Sequence, residues 1–246
     1  MPAPPPPVAL VTGSASGIGA AIARRLAADG MTVVVHSRVS QAAGRQLAAE
    51  IGGTYQQADL ADEDQCRALV TGVTDAHQRL DVLVNNAGIS WPIAHDDLSA
   101  VTASVWRELL DVNLIAPWLL TSAALAALRS SPRPGGGAVV NITSHAGVRP
   151  KGASIPYAAT KAALNHTTRL LAAALGPEVR VNAVAPGLVD TPLTATWAGA
   201  QQLWREQAPM RRAATPGDVA DLVSALVSNS YITGEVILLD GGLNLR

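Results

Sequence analysis

The chain has 246 residues, of which 48% are hydrophobic and 15% charged, and its formal net charge is −1. This composition excludes an intrinsically disordered chain and a charge-rich coiled coil. The chain has 18 basic and 19 acidic residues, so it lacks the positive excess of proteins that bind nucleic acid or anionic membranes. We therefore expect neither partner. The single cysteine, Cys66, excludes an intramolecular disulfide framework and a cysteine-rich zinc site, and is typical of a cytoplasmic protein.

Short runs rich in Val, Ile and Leu alternate with helical patterns, after a proline-rich stub at residues 1–7 that we expect to be disordered. Runs that are apolar on both faces are typical of buried parallel strands. The predicted strands lie at 8–12, 32–36, 54–58, 81–85, 138–143, 179–184 and 234–239. The sequence therefore predicts one α/β domain, a doubly wound parallel sheet of about seven strands flanked by helices.

Four helical features stand out between these runs. An apolar stripe at 66–73 places Cys66 in the core rather than in a reactive site. The apolar run 114–128 contains polar residues and is shorter than the roughly 20 residues that span a bilayer, so it predicts a core helix. A long helix is expected at about 153–175, and the segment Thr215–Asp218 predicts the start of another.

Three glycines follow the first predicted strand in the segment Gly13–Gly19, at the spacing Gly-xxx-Gly-x-Gly. Glycines permit a tight turn and the close approach of a pyrophosphate, and the amino-terminal end of the next helix favours an anion. The segment therefore predicts a dinucleotide-binding loop. The alternative is an ordinary strand-to-helix turn, which rarely needs three glycines.

The end of the second predicted strand bears on the choice of cofactor. An acidic residue about 20 positions beyond the glycine loop would bind the ribose 2′-hydroxyl of NAD, whereas an arginine favours the 2′-phosphate of NADP. Here the strand ends in Ser37-Arg38, and no acidic residue follows before Glu50. Both side chains can bind a phosphate, so the sequence favours NADP(H) over NAD(H). The alternative for Arg38 is a solvated loop charge.

Tyr157 and Lys161 lie one helical turn apart, on one face of the predicted long helix. A phenol is a poor acid–base catalyst at neutral pH, and a nearby cation brings its pKa into range. Ser144 ends the fifth predicted strand, where its hydroxyl can hold a carbonyl oxygen beside Tyr157. A serine nucleophile is the rival interpretation, but no Gly-x-Ser-x-Gly elbow is present and the adjacent His145 alone makes no triad.

Across residues 8–243 these motifs resemble those of the short-chain dehydrogenase/reductase family. The resemblance covers the glycine loop, Asn-Asn-Ala-Gly at 85–88, the Tyr157–Lys161 pair, Pro-Gly at 186–187 and Asp-Gly-Gly at 240–242. It implies that residues 8–246 form a Rossmann-type dinucleotide-binding catalytic domain with a lid at about 188–214. The nearest general pattern is that of 3-oxoacyl and carbonyl reductases.

The resemblance also implies a catalytic tetrad. Tyr157 would be the general acid in reduction, Lys161 would lower its pKa and bind the nicotinamide ribose, Ser144 would orient the substrate oxygen, and Asn113 would hold a proton-relaying water. Pro117 has no N–H for the Asn113 carbonyl, so we expect a kink there. The implied cofactor contacts, besides Tyr157 and Lys161, are Gly13, Ser14, Ser16, Gly17, Ile18, Gly19, Ser37, Arg38, Asp59, Leu60, Asn86, Ala87, Gly88, Pro186, Gly187, Val189 and Thr191.

Two further observations concern specificity. Several NADP-using relatives carry a basic residue just before the second glycine, where this chain has Ser16, which weakens the preference for NADP(H) slightly. The predicted lid is rich in large apolar side chains, which favours an aromatic or bulky apolar ketone; the alternative is that they pack the lid or a subunit interface. The predicted substrate residues are Trp91, His145, Leu193, Trp197 and Trp204.

The sequence therefore predicts a cytoplasmic, NADP(H)-dependent oxidoreductase of ketones and secondary alcohols. The five histidines show no ligand spacing, so no metal is expected. A homotetramer or homodimer is expected, because the C-terminal segment is apolar enough to join an interface. The alternatives are an NAD-linked dehydrogenase of a sugar or secondary alcohol, a reductase of carrier-bound thioesters or cyclic imines, and a cofactor-binding regulator without turnover.

Overall fold

Seven parallel strands form one sheet in a computed structural model that describes residues 5–192 and 194–245. They are β1 (Val8–Val11), β2 (Thr32–Ser37), β3 (Thr54–Gln57), β4 (Val82–Asn85), β5 (Gly137–Ile142), β6 (Val179–Pro186) and β7 (Val236–Leu239). Their order across the sheet is β3-β2-β1-β4-β5-β6-β7. The predicted doubly wound sheet is confirmed. Within the stub, the carbonyl groups of Pro5 and Pro7 accept hydrogen bonds from Arg79 and Thr32.

Helices cover both faces of the sheet. In the described ranges they are α1 (Gly17–Ala28), α2 (Gln41–Glu50), α3 (Glu63–His77), α4 (Ala103–Leu110), α5 (Ala116–Arg129), α6 (Ile155–Leu175), α7 (Ala198–Gln207) and α8 (Pro216–Ser228). Helices α1, α2 and α8 pack on one face, and α3, α5 and α6 pack on the other. Because both faces are covered, the central strands are buried along their length and consist mainly of Val, Leu, Ile and Ala.

Local sequence signals set several helix boundaries. Asp62 caps α3 by accepting hydrogen bonds from the amides of two first-turn residues. The helix start predicted at Thr215–Asp218 is found at α8, where Thr215 and Asp218 form a reciprocal capping box. Cys66 lies on the buried face of α3, and burial raises the pKa of its thiol to about 11, as suits a core residue.

The run Ala103–Arg129 is helical throughout and, by length and composition alone, is apolar enough to cross a membrane. The mean hydropathy of its most apolar window is 1.5, and 44% of that window is buried inside the domain. Leu120, Ala124 and Leu128 pack in the apolar cluster beneath the sheet. The segment therefore packs as a core helix, in line with the prediction for 114–128.

The direction of winding reverses between β1 and β4. From β1 the chain passes outward through β2 to β3, and it then returns to the other side of β1 to form β4. The loops that follow β1 and β4 therefore diverge, and a crevice opens between them at the carboxyl edge of the sheet. The residues considered next surround this crevice.

Candidate active site

The Gly13–Gly19 loop joins β1 to α1 and points the amino-terminal end of that helix at the crevice. Gly13 has a φ of +63°, and a Cβ there would lie 2.9 Å from the Cα of Ala87. A Cβ on Gly19 would lie 2.4 Å from the Gly13 carbonyl oxygen, so both positions require glycine. No side chain caps α1, so its first amides are left for an external acceptor. The loop is a cradle for an anion.

The turn after β4 braces this loop. The Thr12 hydroxyl accepts hydrogen bonds from the amides of Asn86 and Ala87, both at 3.0 Å. The Asn86 side chain donates to the Thr12 and Gly13 carbonyl oxygens at 2.8 and 3.2 Å. Ser14 turns inward, and its buried hydroxyl donates to the strand behind it at 2.6 Å. Its hydroxyl is therefore not available to a cofactor, because it is used to hold the loop.

A cavity of about 260 Å³ lies beside the loop, at the carboxyl ends of β2 and β3. The Arg38 side chain is 57% exposed at its rim, and its Nη1 is 4.0 Å from Asp59 Oδ2. Ser37 is buried, and its hydroxyl shares a hydrogen bond of 2.9 Å with the Tyr55 phenol. The predicted cofactor residues that line this cavity are Gly13, Ser16, Ser37, Arg38, Asp59, Leu60, Asn86, Ala87 and Gly88.

His36 also lines this cavity, and the sequence analysis gave it no role. Its ring is 2% exposed; Nδ1 is 3.1 Å from the Gly13 amide nitrogen, and Nε2 is 3.1 Å from the Ala58 carbonyl oxygen. Burial lowers the pKa of the imidazole below its ordinary value. The available signal was a polar residue directly after the apolar run 33–35, one position before a predicted cofactor contact.

A second cavity, of about 440 Å³, adjoins the first, and Ser144, Tyr157 and Lys161 all line it. The Ser144 hydroxyl, just after β5, accepts a hydrogen bond from the Ala146 amide at 3.1 Å, which leaves its own proton for another acceptor. Tyr157 and Lys161 come from one face of α6, opposite Ser144. Lys161 Nζ donates to the Ile142 carbonyl oxygen at 3.0 Å and lies 6.0 Å from the centre of the Tyr157 ring.

Burial shifts the pKa of both ionisable groups. It raises the pKa of the Tyr157 phenol above its ordinary value, and a hydrogen bond with Ser144 opposes the rise. It lowers the pKa of the Lys161 ammonium to about 8. The expected decrease in the phenol pKa is thus not found in the protein alone, because burial of the phenol outweighs its hydrogen bond with Ser144. Tyr157 keeps its proton at neutral pH, as a general acid must.

Asn113 lies in a π-helical turn, Asp111–Ile115, between α4 and α5. Pro117 has no N–H to donate to the Asn113 carbonyl, and the helix widens there instead of breaking. The distortion expected from Pro117 therefore takes the form of a π turn. Two hydrogen bonds with the backbone of Ile89 fix the Asn113 side chain: Oδ1 accepts at 2.9 Å, and Nδ2 donates at 3.0 Å.

The walls of the larger cavity are mostly apolar, and residues between Leu188 and Trp204 contribute part of them. Trp197 and Trp204 line it, as predicted, and so do Leu188 and Leu203, which the sequence analysis did not single out. Among the predicted cofactor residues, Ser14, Gly17 and Gly19 line neither cavity. Those that line the larger cavity, besides the residues of α6, are Ile18, Asn86, Gly88, Pro186, Gly187, Val189 and Thr191.

One of the predicted substrate residues is not found at this cavity. Trp91 is exposed beyond its lining, and its indole N–H donates to Glu108 at 3.2 Å. Farther along the same loop, the Ile93 amide donates a hydrogen bond to the Ala153 carbonyl. Leu193 lies outside the described residues.

His145 lines the cavity and packs edge-on to Trp204, with ring centroids 6.1 Å apart. Its Nε2 is 3.6 Å from Oδ2 of Asp240, a carboxylate that the amides of Gly242 and Asn244 also hold, at 2.9 and 2.7 Å. Burial lowers the pKa of His145, and Asp240 opposes that effect. The sequence marked Asp240 only as part of a motif, because nothing local indicates that it lies beside His145.

Comparison with known proteins identifies the nearest family. Residues 13–244 match a family model described as Enoyl-(Acyl carrier protein) reductase. A Streptomyces violaceoruber protein named as ketoacyl reductase 2 of the granaticin polyketide synthase is 49% identical, over 99% of this chain and 98% of its own. A short-chain dehydrogenase/reductase structure from Burkholderia xenovorans has a TM-score of 0.90 at 36% identity, over 99% of this chain and 100% of its own. The Pseudomonas aeruginosa RhlG/NADP active-site complex has a TM-score of 0.88 at 33% identity, over 96% of both chains.

Proposed function

The chain belongs to the short-chain dehydrogenase/reductase family, and we propose that it is an NADP(H)-dependent reductase of bulky or apolar ketones with Tyr157 as general acid. Its relatives show that it is an oxidoreductase of the ketone and alcohol class. One observation carries the proposal: Ser144, Tyr157 and Lys161 converge on a single cavity that adjoins the glycine-loop crevice.

The crevice fits a dinucleotide. The glycine loop allows close approach, and the uncapped start of α1 suits a pyrophosphate. The two cavities share Asn86, Gly88 and Ile89, so an extended ligand can run from one into the other. At their junction a Cβ on Gly88 would lie 3.1 Å from Asn113 Oδ1 and 3.4 Å from Lys161 Nζ, so the missing side chain leaves room there.

When bound, NADPH supplies the hydride that adds to the substrate carbonyl carbon. The protein supplies orientation and the proton. Ser144 turns the hydroxyl proton that it directs at Tyr157 in the cofactor-free protein to the substrate oxygen, and Tyr157 transfers its phenolic proton to that oxygen as the carbonyl π bond breaks. Lys161 stabilises the phenolate left behind, and Asn113 holds a water that returns a proton through Lys161. One hydride and one proton convert the carbonyl to an alcohol.

The position of Arg38 supports NADP(H). It is a largely exposed guanidinium at the rim of the smaller cavity, which suits bidentate binding of a 2′-phosphate. A structural neighbour, RhlG, is described in a complex with NADP. Two features count against NADP(H) and support the NAD-linked alternative. Asp59 lies 4.0 Å from Arg38, and the Ser37 hydroxyl is already hydrogen-bonded to Tyr55.

The apolar walls of the larger cavity support a bulky substrate. Two indoles and two leucines surround a volume of about 440 Å³, which suits an aromatic ring or a ring system better than a small sugar. The ketoacyl reductase name of the Streptomyces relative agrees with an extended keto substrate. Assembly and location are part of the same proposal. The exposed apolar side chains of Trp118 on α5 and Leu170 on α6 support a homotetramer or homodimer. We place the enzyme in the cytoplasm.

The test is consumption of NADPH, with NADH in parallel, against aryl ketones, 3-oxoesters, cyclic ketones and cyclic imines. We expect turnover of an aryl or cyclic ketone with NADPH preferred. Arg38→Leu should raise the KM for NADPH by roughly tenfold or more, the cost of a charge-assisted hydrogen bond, and leave the KM for NADH unchanged. Arg67→Leu, at an exposed site on α3, is the matched control. Equal use of both cofactors by the unaltered protein would favour the NAD-linked alternative.

A further inference from the structure

His36 joins three parts of the crevice through its buried side chain and its backbone. Its ring lies between the Gly13 amide and the Ala58 carbonyl, at 3.1 Å from each. Its backbone amide donates to the Ser14 hydroxyl at 3.0 Å, and its carbonyl accepts from the Ser14 amide at 2.8 Å. One residue of β2 thus holds the start of the glycine loop and the end of β3 in fixed relation.

The two ring contacts define one protonation state. A backbone amide only donates, so Nδ1 must present its lone pair to Gly13; a carbonyl only accepts, so Nε2 must carry the hydrogen that it donates to Ala58. His36 is therefore assigned as the neutral Nε2–H tautomer. Neither the doubly protonated ring nor the other tautomer satisfies both contacts.

The Gly13 contact matters because this turn has little freedom to adjust. Gly13 adopts φ +63°, and the space where a Cβ would stand is closed by Ala87 on the neighbouring turn. Thr12 and Asn86 brace the loop from the β4 side, and His36 braces it from the β2 side. Without the imidazole the Gly13 amide would lose its acceptor among the described residues at this end of the crevice.

We propose that His36 is a positioning residue for the cofactor: its neutral imidazole fixes the Gly13 turn for the pyrophosphate, and its protonation releases that turn. The inference rests on the proposed function only in naming the ligand of the loop. His36 acts through Gly13 and does not touch the reacting atoms, so its loss should weaken cofactor binding and leave the chemical step intact.

The same contacts give the proposal a pH dependence. A proton on Nδ1 would face the Gly13 N–H, so cofactor affinity should fall as the pH falls through the pKa of His36, which burial lowers. The charged groups at this end are Asp59 after β3, which favours the cation, and Arg38 after β2; the loop 13–16 and the turn 86–88 carry none. Burial outweighs Asp59, so the neutral ring dominates at neutral pH.

Two variants separate the acceptor from the ring. Asn in His36→Asn can offer an amide oxygen near the position of Nδ1 and does not titrate, whereas His36→Leu offers no acceptor. His77→Asn is the matched control, because His77 lies on α3 and contacts Thr54 at the opposite end of β3. Dissociation constants for NADPH are measured by fluorescence titration from about pH 5.5 to about pH 8, and kcat and KM are measured separately.

For His36→Leu we expect an NADPH dissociation constant raised about tenfold with kcat nearly unchanged. For His36→Asn we expect near-normal affinity at neutral pH and a weaker loss of affinity in acid than the unaltered protein shows. Comparing the two proteins at each pH cancels titration of the 2′-phosphate. Normal affinity in His36→Leu, or an acid dependence shared by His36→Asn, would overturn the proposal.

A second measurement needs no cofactor. Nitrogen-15 NMR of the imidazoles in the cofactor-free protein should show one buried histidine as the Nε2–H tautomer at neutral pH, with a signal absent from His36→Asn. An Nδ1–H tautomer or a charged ring would overturn the assignment. If the unaltered protein binds neither NADPH nor NADH, the proposed function fails and the positioning role fails with it; if it binds both cofactors and the variants match it, only the role of His36 fails.

Discussion

Burial raises the pKa of the Tyr157 phenol, whereas a hydrogen bond with Ser144 lowers it, and burial has the stronger effect. The shielded phenol keeps its proton, and the Ser144 hydroxyl next to it forms a hydrogen bond with it. Lys161 is the group that titrates close to neutrality, because the same burial destabilises its charged form. Burial thus raises the pKa of Tyr157 and lowers the pKa of Lys161.

Lys161 should therefore set the upper pH limit of reduction. Its pKa is lowered to about 8, so the ammonium is present below that pH and is lost as the pH rises through it. We expect kcat/KM for ketone reduction to be level between about pH 6.5 and about pH 7.5 and to fall at higher pH. A profile of initial rates to about pH 10 tests this; a level profile throughout would contradict the role of the ammonium.

On the scale of elements, the π turn between α4 and α5 departs from regular helix geometry and positions Asn113. The proline that prevents a regular α-helical bond lies on the buried side of α5, and Asn113 itself is buried and bonded to Ile89. A widened turn at a functional position is a common use of this geometry. The distortion therefore belongs to the site rather than to the packing of the core.

Pro117→Ala tests that assignment, because it restores the missing donor and lets the helix become regular. We expect the melting temperature to stay level or to rise, since a helix-interior proline is removed, while kcat falls roughly tenfold or more as Asn113 moves. Pro216→Ala at the first turn of α8 is the control and should leave kcat unchanged, since it lies at a capped helix start. Loss of stability without loss of kcat would contradict the account.

Local patterns predicted the elements well and the long-range contacts poorly. The strands, the capping box and the distortion at Pro117 follow from residues close in sequence, so composition and spacing were sufficient. The Gly13–His36 contact depends on the register of two paired strands, and the path of Trp91 depends on a loop that is held by a bond to Ala153. The direction of the Tyr157 pKa depends on burial, which spacing alone does not give.

At the scale of the whole molecule, the sheet order brings the site together. Reversal of winding beside β1 opens the crevice, the loops after β1 and β4 form its floor, and α6 carries the acid and the cation across from β5. The segment between β6 and α8 adds α7 and two indoles to the wall of the larger cavity. Residues far apart in sequence thus share one cavity because the carboxyl ends of parallel strands meet at one edge.

The outer faces of α5 and α6 carry the prediction about assembly. Trp118 is 51% exposed and Leu170 is 57% exposed, so a large apolar side chain faces solvent on each helix. We expect light scattering to give a tetramer or dimer mass for the unaltered protein and a smaller mass for Trp118→Ser. Leu98→Ser, at an apolar side chain that is 69% exposed away from these helices, should leave the mass unchanged. A monomeric unaltered protein would contradict the expected assembly.

The proposal that Tyr157 is the general acid is tested most directly with Tyr157→Phe. Two quantities are measured for this variant: the rate of NADPH oxidation with the best ketone substrate, and the dissociation constant for NADPH. We expect kcat to fall about 10²–10⁴-fold while cofactor binding is retained, because the substitution removes only the proton donor. Tyr231→Phe, at a side chain that is 95% exposed, should behave as the unaltered enzyme. Near-normal turnover by Tyr157→Phe would show that the proton comes from another group and would contradict the proposed mechanism.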